Sequence, residues 1–469
     1  MNREDRCQVP TKDVAIAPPL PPTDLLYMAA VAEQAGIECR IVDYTLDGLP
    51  MSRFVADIQE FRPDYLIVSV TTPTLSQDLA VCATAKSLLP AIVTIAKGAH
   101  FLRFSVEVMT ATPALDMVIR GEPEEPVQEF FNGTPLAEIS GLTWRGPSGI
   151  VVNPARHYRD DLDNLPQPAR HLIDNSRYVR PDNGKAQAVV KVARGCPFHC
   201  FFCLATPVSG APVRKRSPEN ILAELRICVE QYGINNFLFW SDIFNLDRDW
   251  AMKLCEAILA SGLKITWATN TRADTLDLDM ARLMKKAGCT LVSIGVESGN
   301  EEILRKMGKK TDLTKIRESF RIIRQAGLSS FAYYIIGLPW DTRETVEETI
   351  RLAIELDSDY ANFFTATAFP GTRFFDYAIQ EHLLSATDQA MSELFSQAYY
   401  LPTTRGLYLS REEIVSLHDE AVRRFFLRPA YIYKTALKIK SLRELSRYAR
   451  GALGLVLASC RRPRYGAAI

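Results

Sequence analysis

Two rhythms alternate along this chain. Short apolar runs without a clean period of two are followed by stretches in which apolar residues recur every three or four positions. In the first third, Val14–Ala17, Glu38–Val42, Tyr65–Val70, Ala91–Ala96 and Met117–Arg120 read as strands. Leu25–Ala35, closed by Gly36, and Leu75–Leu89 read as helices, and Gly121-Glu122-Pro123-Glu124-Glu125 opens another. Apolar strands that do not alternate are covered on both faces, which predicts a parallel sheet between helical layers. The expected unit is a doubly wound, Rossmann-like domain over residues 1–135. Residues 136–185 are rich in Pro, Asn, Asp and Arg and weakly periodic, and read as a linker. A small hairpin is expected within it, pairing Ile139–Trp144 with Ile150–Asn153 around Gly146-Pro147-Ser148-Gly149.

From Ala188 the alternation resumes with longer helices. Strands are expected at Val189–Ala193, Phe237–Trp240, Ile265–Ala268, Leu291–Val296, Phe331–Ile336 and Tyr360–Ala366. Helices fall between them at Pro218–Tyr232, Asp247–Ala260, Leu278–Ala287, Leu313–Ala326 and Thr342–Leu356, with Gly233, Gly262, Gly288 and Gly327 as stops. Six such units predict an open (β/α)6 partial TIM barrel over residues 186–400. Chemistry then belongs at the C-terminal ends of its strands. Residues 401–469 read as a helical C-terminal region.

Composition narrows the class. A chain of 469 residues holds two to four domains, and 47% apolar with 23% charged residues is an ordinary globular balance. Lys+Arg and Asp+Glu are equal at 55 each, which gives no case for bulk nucleic-acid binding. The balance is not local: from Arg423 to Ile469 there are twelve Lys/Arg against Glu444 alone. The rest of the chain therefore carries 55 − 12 = 43 basic and 55 − 1 = 54 acidic residues. No apolar run is long enough to span a bilayer, and the polar start MNREDRCQVPTKD shows no secretory signal. A cytoplasmic, reducing setting is expected, where ten cysteines are thiols or metal ligands rather than disulfides.

Seven cysteines are scattered singly (Cys7, Cys39, Cys82, Cys228, Cys255, Cys289, Cys460) and read as small buried apolar residues. The other three are not scattered. Ala-Arg-Gly-Cys196-Pro-Phe-His-Cys200-Phe-Phe-Cys203 follows the first barrel strand directly. Three thiolates so close repel one another unless a metal compensates. A structural zinc needs four ligands, commonly two separated pairs, and no second pair follows at zinc spacing. Three sulfurs suit a [4Fe–4S] cluster with one iron left without a protein ligand.

The Cys-x3-Cys-x2-Cys spacing at the head of a six-unit β/α repeat, with Phe202 before the last cysteine, resembles the radical S-adenosylmethionine enzymes. The resemblance implies that the open iron chelates the amino and carboxylate groups of S-adenosylmethionine. One electron, delivered by a protein such as a flavodoxin or ferredoxin, then releases a 5′-deoxyadenosyl radical. It further implies binding groups at successive strand ends. Asp242 of Ser241-Asp242 stands where the family has Gly-Gly-Glu and would hold the methionine amine. Arg272 would hold its carboxylate or is a solvated arginine. Glu297 of Glu297-Ser298-Gly299 matches the ribose- and carboxylate-contacting segment. Gly337 of Gly337-Leu338-Pro339 matches the adenine-contacting turn or is a plain strand exit. Tyr333, Tyr334, Tyr360 and Phe363 either line the barrel mouth or pack in the core.

The first domain resembles the cobalamin-binding domain fused to one class of these enzymes. Ala17-Pro18-Pro19, Lys97-Gly98-Ala99-His100 and Val118-Ile119-Arg120-Gly121-Glu122-Pro123-Glu124 carry the similarity. Thr71 and Thr72 lie near the expected switch point of the sheet. Cobalamin contacts are thus implied for Thr71, Thr72, Gly98, Gly121 and Glu122. Two departures matter. The Asp-x-His-x-x-Gly string of the mutases is absent, so His100 is not assigned to cobalt and the lower corrin face is expected unligated or weakly ligated. Lys97 also stands where relatives have glycine, which leaves open a domain that keeps the fold without the corrin. Gly-x-Gly-x-x-Gly is missing, which disfavours NAD.

The tail carries Tyr431, Ile432, Leu437, Ile439, Leu442, Leu445, Tyr448, Leu453 and Val456 among basic residues. It reads either as an amphipathic helix on an anionic membrane or as a cap under the barrel. No base-stacking motif points to RNA. The expected activity is cobalamin-dependent radical methylation of an unactivated carbon in a small molecule or lipid. The alternatives are an oxidative cyclase, a lipid carbon–carbon bond former, and a non-enzymatic corrinoid or iron–sulfur sensor.

Overall fold

The computed structural model describes residues 19–180, 184–384 and 402–437. The first sheet has the order β1 (Tyr65–Ser69), β2 (Val93–Lys97), β3 (Met117–Ile119), β4 (Leu142–Gly146), β5 (Gly149–Val152). β1, β2 and β3 are mutually parallel, and β4 and β5 complete the sheet antiparallel. Successive strand residues face opposite cores, as an apolar strand without alternation requires. Ile95, Met117 and Ile119 pack under helices Thr23–Gln34 and Glu124–Phe131. Ala96 and Val118 pack under helices Leu75–Leu88 and Phe101–Ala111.

Two expectations change here. Glu38–Val42 forms no ladder with any described strand. Val14–Ala17, expected beside it, lies outside the described residues, as does most of Ala17-Pro18-Pro19. The hairpin is not an isolated element of a linker. It is the far edge of the first sheet, with Met117, Val118 and Ile119 paired to Trp144, Thr143 and Leu142. Leu142 and Thr143 are buried there and cover the flank that β3 would otherwise leave open.

The second sheet comprises β6 (Ala188–Lys191), β9 (Asn236–Trp240), β10 (Thr266–Thr271), β11 (Cys289–Glu297), β12 (Ser329–Ile336) and β13 (Tyr360–Thr365), all parallel and in that order. A short antiparallel ribbon, β7 (Ala193–Arg194) with β8 (Arg214–Lys215), stands beside it. Five crossover helices begin at Ser217, Asp247, Asp277, Asp312 and Thr342, each accepting a backbone N–H of its first turn. This is the open six-strand half-barrel, with its loops gathered at one end.

One face of the strands packs on the helices through Phe237, Phe239, Trp267, Val292, Ile294, Ala332, Tyr334 and Phe363. Tyr334 and Phe363 stack at 4.8 Å within that core and so do not line the mouth. Tyr333 and Tyr360 are half-buried on the opposite face, where Phe331 and Phe364 stack against them.

Helix Arg411–Phe426 is opened by a Ser410/Glu413 capping box and closes against β13 and helix Arg343–Leu356. Helix Pro429–Ala436 follows it. The tail positions from Ile439 onward lie outside the described residues, and among the described residues no helix is long and apolar enough to cross a membrane.

Candidate functional site

The three-cysteine loop runs from β7 to helix Ala205–Ser209. Its fixed points are the residues between the cysteines. Phe201 donates its N–H to the Met307 carbonyl at 2.9 Å and accepts from Phe374 N–H at 2.9 Å. The Thr206 hydroxyl reaches back to the carbonyls of Cys196 at 3.0 Å and Phe198 at 2.8 Å. Phe202 is half-buried against the barrel core. Cys196 is buried, and Cys200 and Cys203 are half-exposed. The loop backbone is thus anchored on both sides of the cysteines. Among the described residues no three His, Cys, Asp or Glu side chains converge as they would around a single metal ion. Three thiols on one loop are the donor set that a [4Fe–4S] cube with one open iron takes.

Neighbouring strand ends tie onto this loop. Asp242, after β9, accepts the Gly195 N–H at 2.8 Å. Arg272, after β10, lays its guanidinium 3.8 Å over the Phe198 ring and holds Asp274 through two hydrogen bonds of 2.9 Å. Arg272 also donates to the Lys309 carbonyl at 2.8 Å. Glu297 ends β11 at a bulge, with a left-handed backbone of φ 68°. Its carboxylate meets the Lys309 ammonium at 2.7 Å, and both groups are buried. The hydroxyls of Ser241 and Thr271, at the ends of β9 and β10, are buried with no hydrogen-bond partner. A buried orphan hydroxyl calls for a ligand. Two of them beside the cysteine loop fit the polar end of a molecule such as S-adenosylmethionine.

Gly337 stands apart from that group. Its φ of 89° suits glycine, and a Cβ there would lie 2.5 Å from the Ile414 side chain. The turn is held by Asp341, whose Oδ2 accepts the N–H groups of Gly337 at 3.0 Å and Leu338 at 2.9 Å. Burial without a cation pushes the Asp341 carboxyl up to about 6.

In the first domain, Thr71, Thr72 and Gly98 gather around one strand end. The Thr72 hydroxyl lies 3.3 Å from His100 Nδ1, and Thr71 meets Thr74 at 2.7 Å. Gly98 passes so close to β1 that a Cβ would sit 2.2 Å from the Val70 carbonyl oxygen. The close approach sets the Gly98 and Thr71–Thr72 loops side by side at the strand ends, where doubly wound sheets cradle their ligands. His100 is buried, and desolvation pushes its imidazole down to about 4, so it is neutral near pH 7.

Gly121 and Glu122 follow β3, the strand beside β2, and the Glu122 carboxylate is turned to the second domain. Glu122 forms a two-pronged ion pair with Arg214 at 2.7 and 2.9 Å. Lys97, the residue that replaces a family glycine, is fully buried and shares Asp24 with Lys191 of β6. Burial alone would raise the Asp24 carboxyl, but Lys191 and Lys97 reverse this and hold it well below the usual range.

The partners Lys309, Asp341, Asp24, Arg194 and Arg214 were not singled out by the sequence, nor were Ser241 and Thr271 as bare hydroxyls. A weak signal existed for Asp341, which precedes a helix as Pro-Trp-Asp-Thr. Among the described cysteines none is in a disulfide. Cys82, Cys228, Cys255 and Cys289 are buried as expected, Cys39 is half-buried, and Cys7 and Cys460 lie outside the described residues. A separate cavity of about 300 Å3, lined by Arg180, Lys185, Lys264 and Tyr360 among others, opens at the N-terminal ends of the strands, away from this chemistry.

Comparison with known proteins fits this geometry. The Radical SAM superfamily model matches residues 190–353, and the B12 binding domain model matches residues 14–131. An uncharacterized methyltransferase of Pyrococcus horikoshii is 31% identical over 88% of this chain and 89% of its own. An anaerobic magnesium-protoporphyrin IX monomethyl ester cyclase of Cereibacter sphaeroides is 26% identical over 89% of this chain and 69% of its own. Among solved structures, the cobalamin-dependent S-adenosylmethionine radical enzyme OxsB superposes with a TM-score of 0.72 at 14% identity, covering 96% of this chain and 70% of that one. The chain therefore belongs to the radical SAM superfamily, as an enzyme of its cobalamin-dependent methyltransferase class whose cofactors are a [4Fe–4S] cluster, S-adenosylmethionine and cobalamin.

Proposed function

We propose that this enzyme methylates an unactivated carbon of a small-molecule or lipid substrate. The observation that carries the reading is the union, in one interlocked chain, of the three-cysteine loop with a glycine-dependent cradle of the B12 binding type. When bound, the cluster and S-adenosylmethionine supply a carbon-centred radical, and cobalamin supplies the methyl group. Cys196, Cys200 and Cys203 would hold the cluster. Asp242, Arg272 and Glu297, with the bare hydroxyls of Ser241 and Thr271, would orient S-adenosylmethionine, and the Gly337 turn, packed on Ile414 and held by Asp341, would border its adenine. Thr71, Thr72 and Gly98 would seat the corrin, with neutral His100 behind Thr72. On the half-buried aromatic face, the Tyr333 and Phe364 pair, toward the C-terminal ends of β12 and β13, would exclude water from the radical.

The exposed Ile432, Tyr433 and Leu437 support a peripheral membrane contact through the C-terminal helix, in keeping with a lipid substrate. The similarity to a cyclase favours oxidative ring closure as a second reading.

Anaerobic reconstitution tests the cofactor assignment. The chain should take up about four irons and a corrinoid, and Cys196→Ala should lose the irons. Product mass separates the two reactions. Methyl transfer adds one methylene unit per event, carried from labelled S-adenosylmethionine, whereas ring closure adds none. Absence of 5′-deoxyadenosine under reducing conditions would rule out both and leave a sensor.

A further inference from the structure

We infer that the Gly121-Glu122-Pro123-Glu124 turn of the first domain positions the cysteine loop of the second, so that the corrin domain governs assembly of an iron–sulfur site it does not ligate. The inference rests on the reading of Cys196, Cys200 and Cys203 as cluster ligands.

The loop that carries all three cysteines leaves β7 and returns through β8. In that ribbon Arg194 and Arg214 are directly opposed. Like charges directly across a ladder destabilise it. Guanidinium groups stay charged at every working pH. Their side chains are 9% and 4% exposed, so water does not screen them. By itself the ribbon is electrostatically unsound.

Its counter-charges come from the other domain. Glu124 grips Arg194 at 2.6 and 3.2 Å. Glu122 grips Arg214 at 2.7 and 2.9 Å and lies 3.3 Å from Arg194. The void beside Glu122, Glu124 and Arg194 is about 10 Å3, room for roughly one water, so at most a single molecule could stand in for a missing carboxylate. Both arginines act on the cysteine loop. Arg194 is joined through Gly195 to Cys196, and Gly195 N–H is pinned by Asp242. Arg214 donates at 2.6 Å to the Ser209 carbonyl, where the helix after the last cysteine ends. Loss of either carboxylate strands a buried cation next to the loop, and a stranded charge disturbs more than a missing pair does. Glu122 and Glu124 are therefore positioning residues.

The full-length chain, reconstituted anaerobically with iron and sulfide, tests this. Glu122→Gln/Glu124→Gln should lower iron per chain at least threefold and abolish the change that S-adenosylmethionine produces in the electron paramagnetic resonance signal of the reduced cluster. A chain with Arg194→Gln and Arg214→Gln added holds no stranded charge and should recover iron to within twofold of the parent. Glu125→Gln, which touches Arg156 and Arg159 instead, should load as the parent does. The inference is overturned if the carboxylate double variant loads normally, or if the fourfold variant stays as empty as the double. Should the double variant fail to fold, the fourfold variant decides, since it must both fold and load. A parent chain that takes up no cluster would instead overturn the cluster assignment beneath it.

Discussion

His100 in the first sheet and Asp341 in the half-barrel are buried to nearly the same degree, yet burial acts on them in opposite senses. Each packs at a strand end and each lacks an opposite charge. Desolvation disfavours the charged form in both, which means protonated histidine in one and ionised aspartate in the other. Asp24, also buried, goes the other way from Asp341 because two lysines face it. Burial pushes each group toward its neutral form, and a facing charge decides whether that push survives. At the domain seam Asp24 and Glu124 face cations, whereas the fifth strand end supplies neutral donors.

The largest expected effect breaks the seam. Asp24→Asn removes the carboxylate that Lys97 and Lys191 share in a buried setting and should cost about 3–5 kcal/mol in urea unfolding at pH 7. A loss under about 1 kcal/mol would show that the lysines find other acids.

His100 gives the next largest. Its folded pKa of about 4 lies below the usual 6.5, so the folded state resists protonation. Stability is full above about pH 6.5 and falls as pH drops toward 4, by about 3 kcal/mol in all. His100→Gln should flatten that slope when unfolding midpoints are compared between pH 7 and pH 4.5.

Asp341 runs the other way in the same interval, with a slightly smaller effect. Its folded pKa of about 6 lies above the usual 3.8, so the folded state holds the proton that the unfolded chain gives up. Stability is highest below about pH 4, declines as pH rises to about 6 and is level beyond, a span of about 2–3 kcal/mol. Asp341→Asn should remove this decline. Identical slopes in variant and parent would show that Asp341 is ionised throughout.

The crossover helices were legible because a 3.6-residue period persists over several turns and each begins at a capping residue. The expected Pro218–Tyr232 helix is the observed one. The cysteine loop was legible for a related reason, since all its ligands lie within eight residues. The residues that complete the site are partners at long range, and nothing local announces them. Asp24 meets Lys97 across 73 positions and Lys191 across 167. Glu297 could be recognised as a carboxylate in need of a partner, but Lys309 could not be named. Glu122 was visible as part of a motif, while its arginine lies 92 positions away. The hairpin was misplaced for the same reason, because its own pairing is local and its attachment to β3 is not.

Glu297 adopts a backbone shape that glycine takes freely and glutamate resists. Holding it there stores roughly 1–3 kcal/mol, which the pair with Lys309 must offset. The end of the fourth barrel strand thus behaves as a sprung catch. Draw the ammonium away, and a buried carboxylate would be left uncompensated on a backbone shape that already costs free energy.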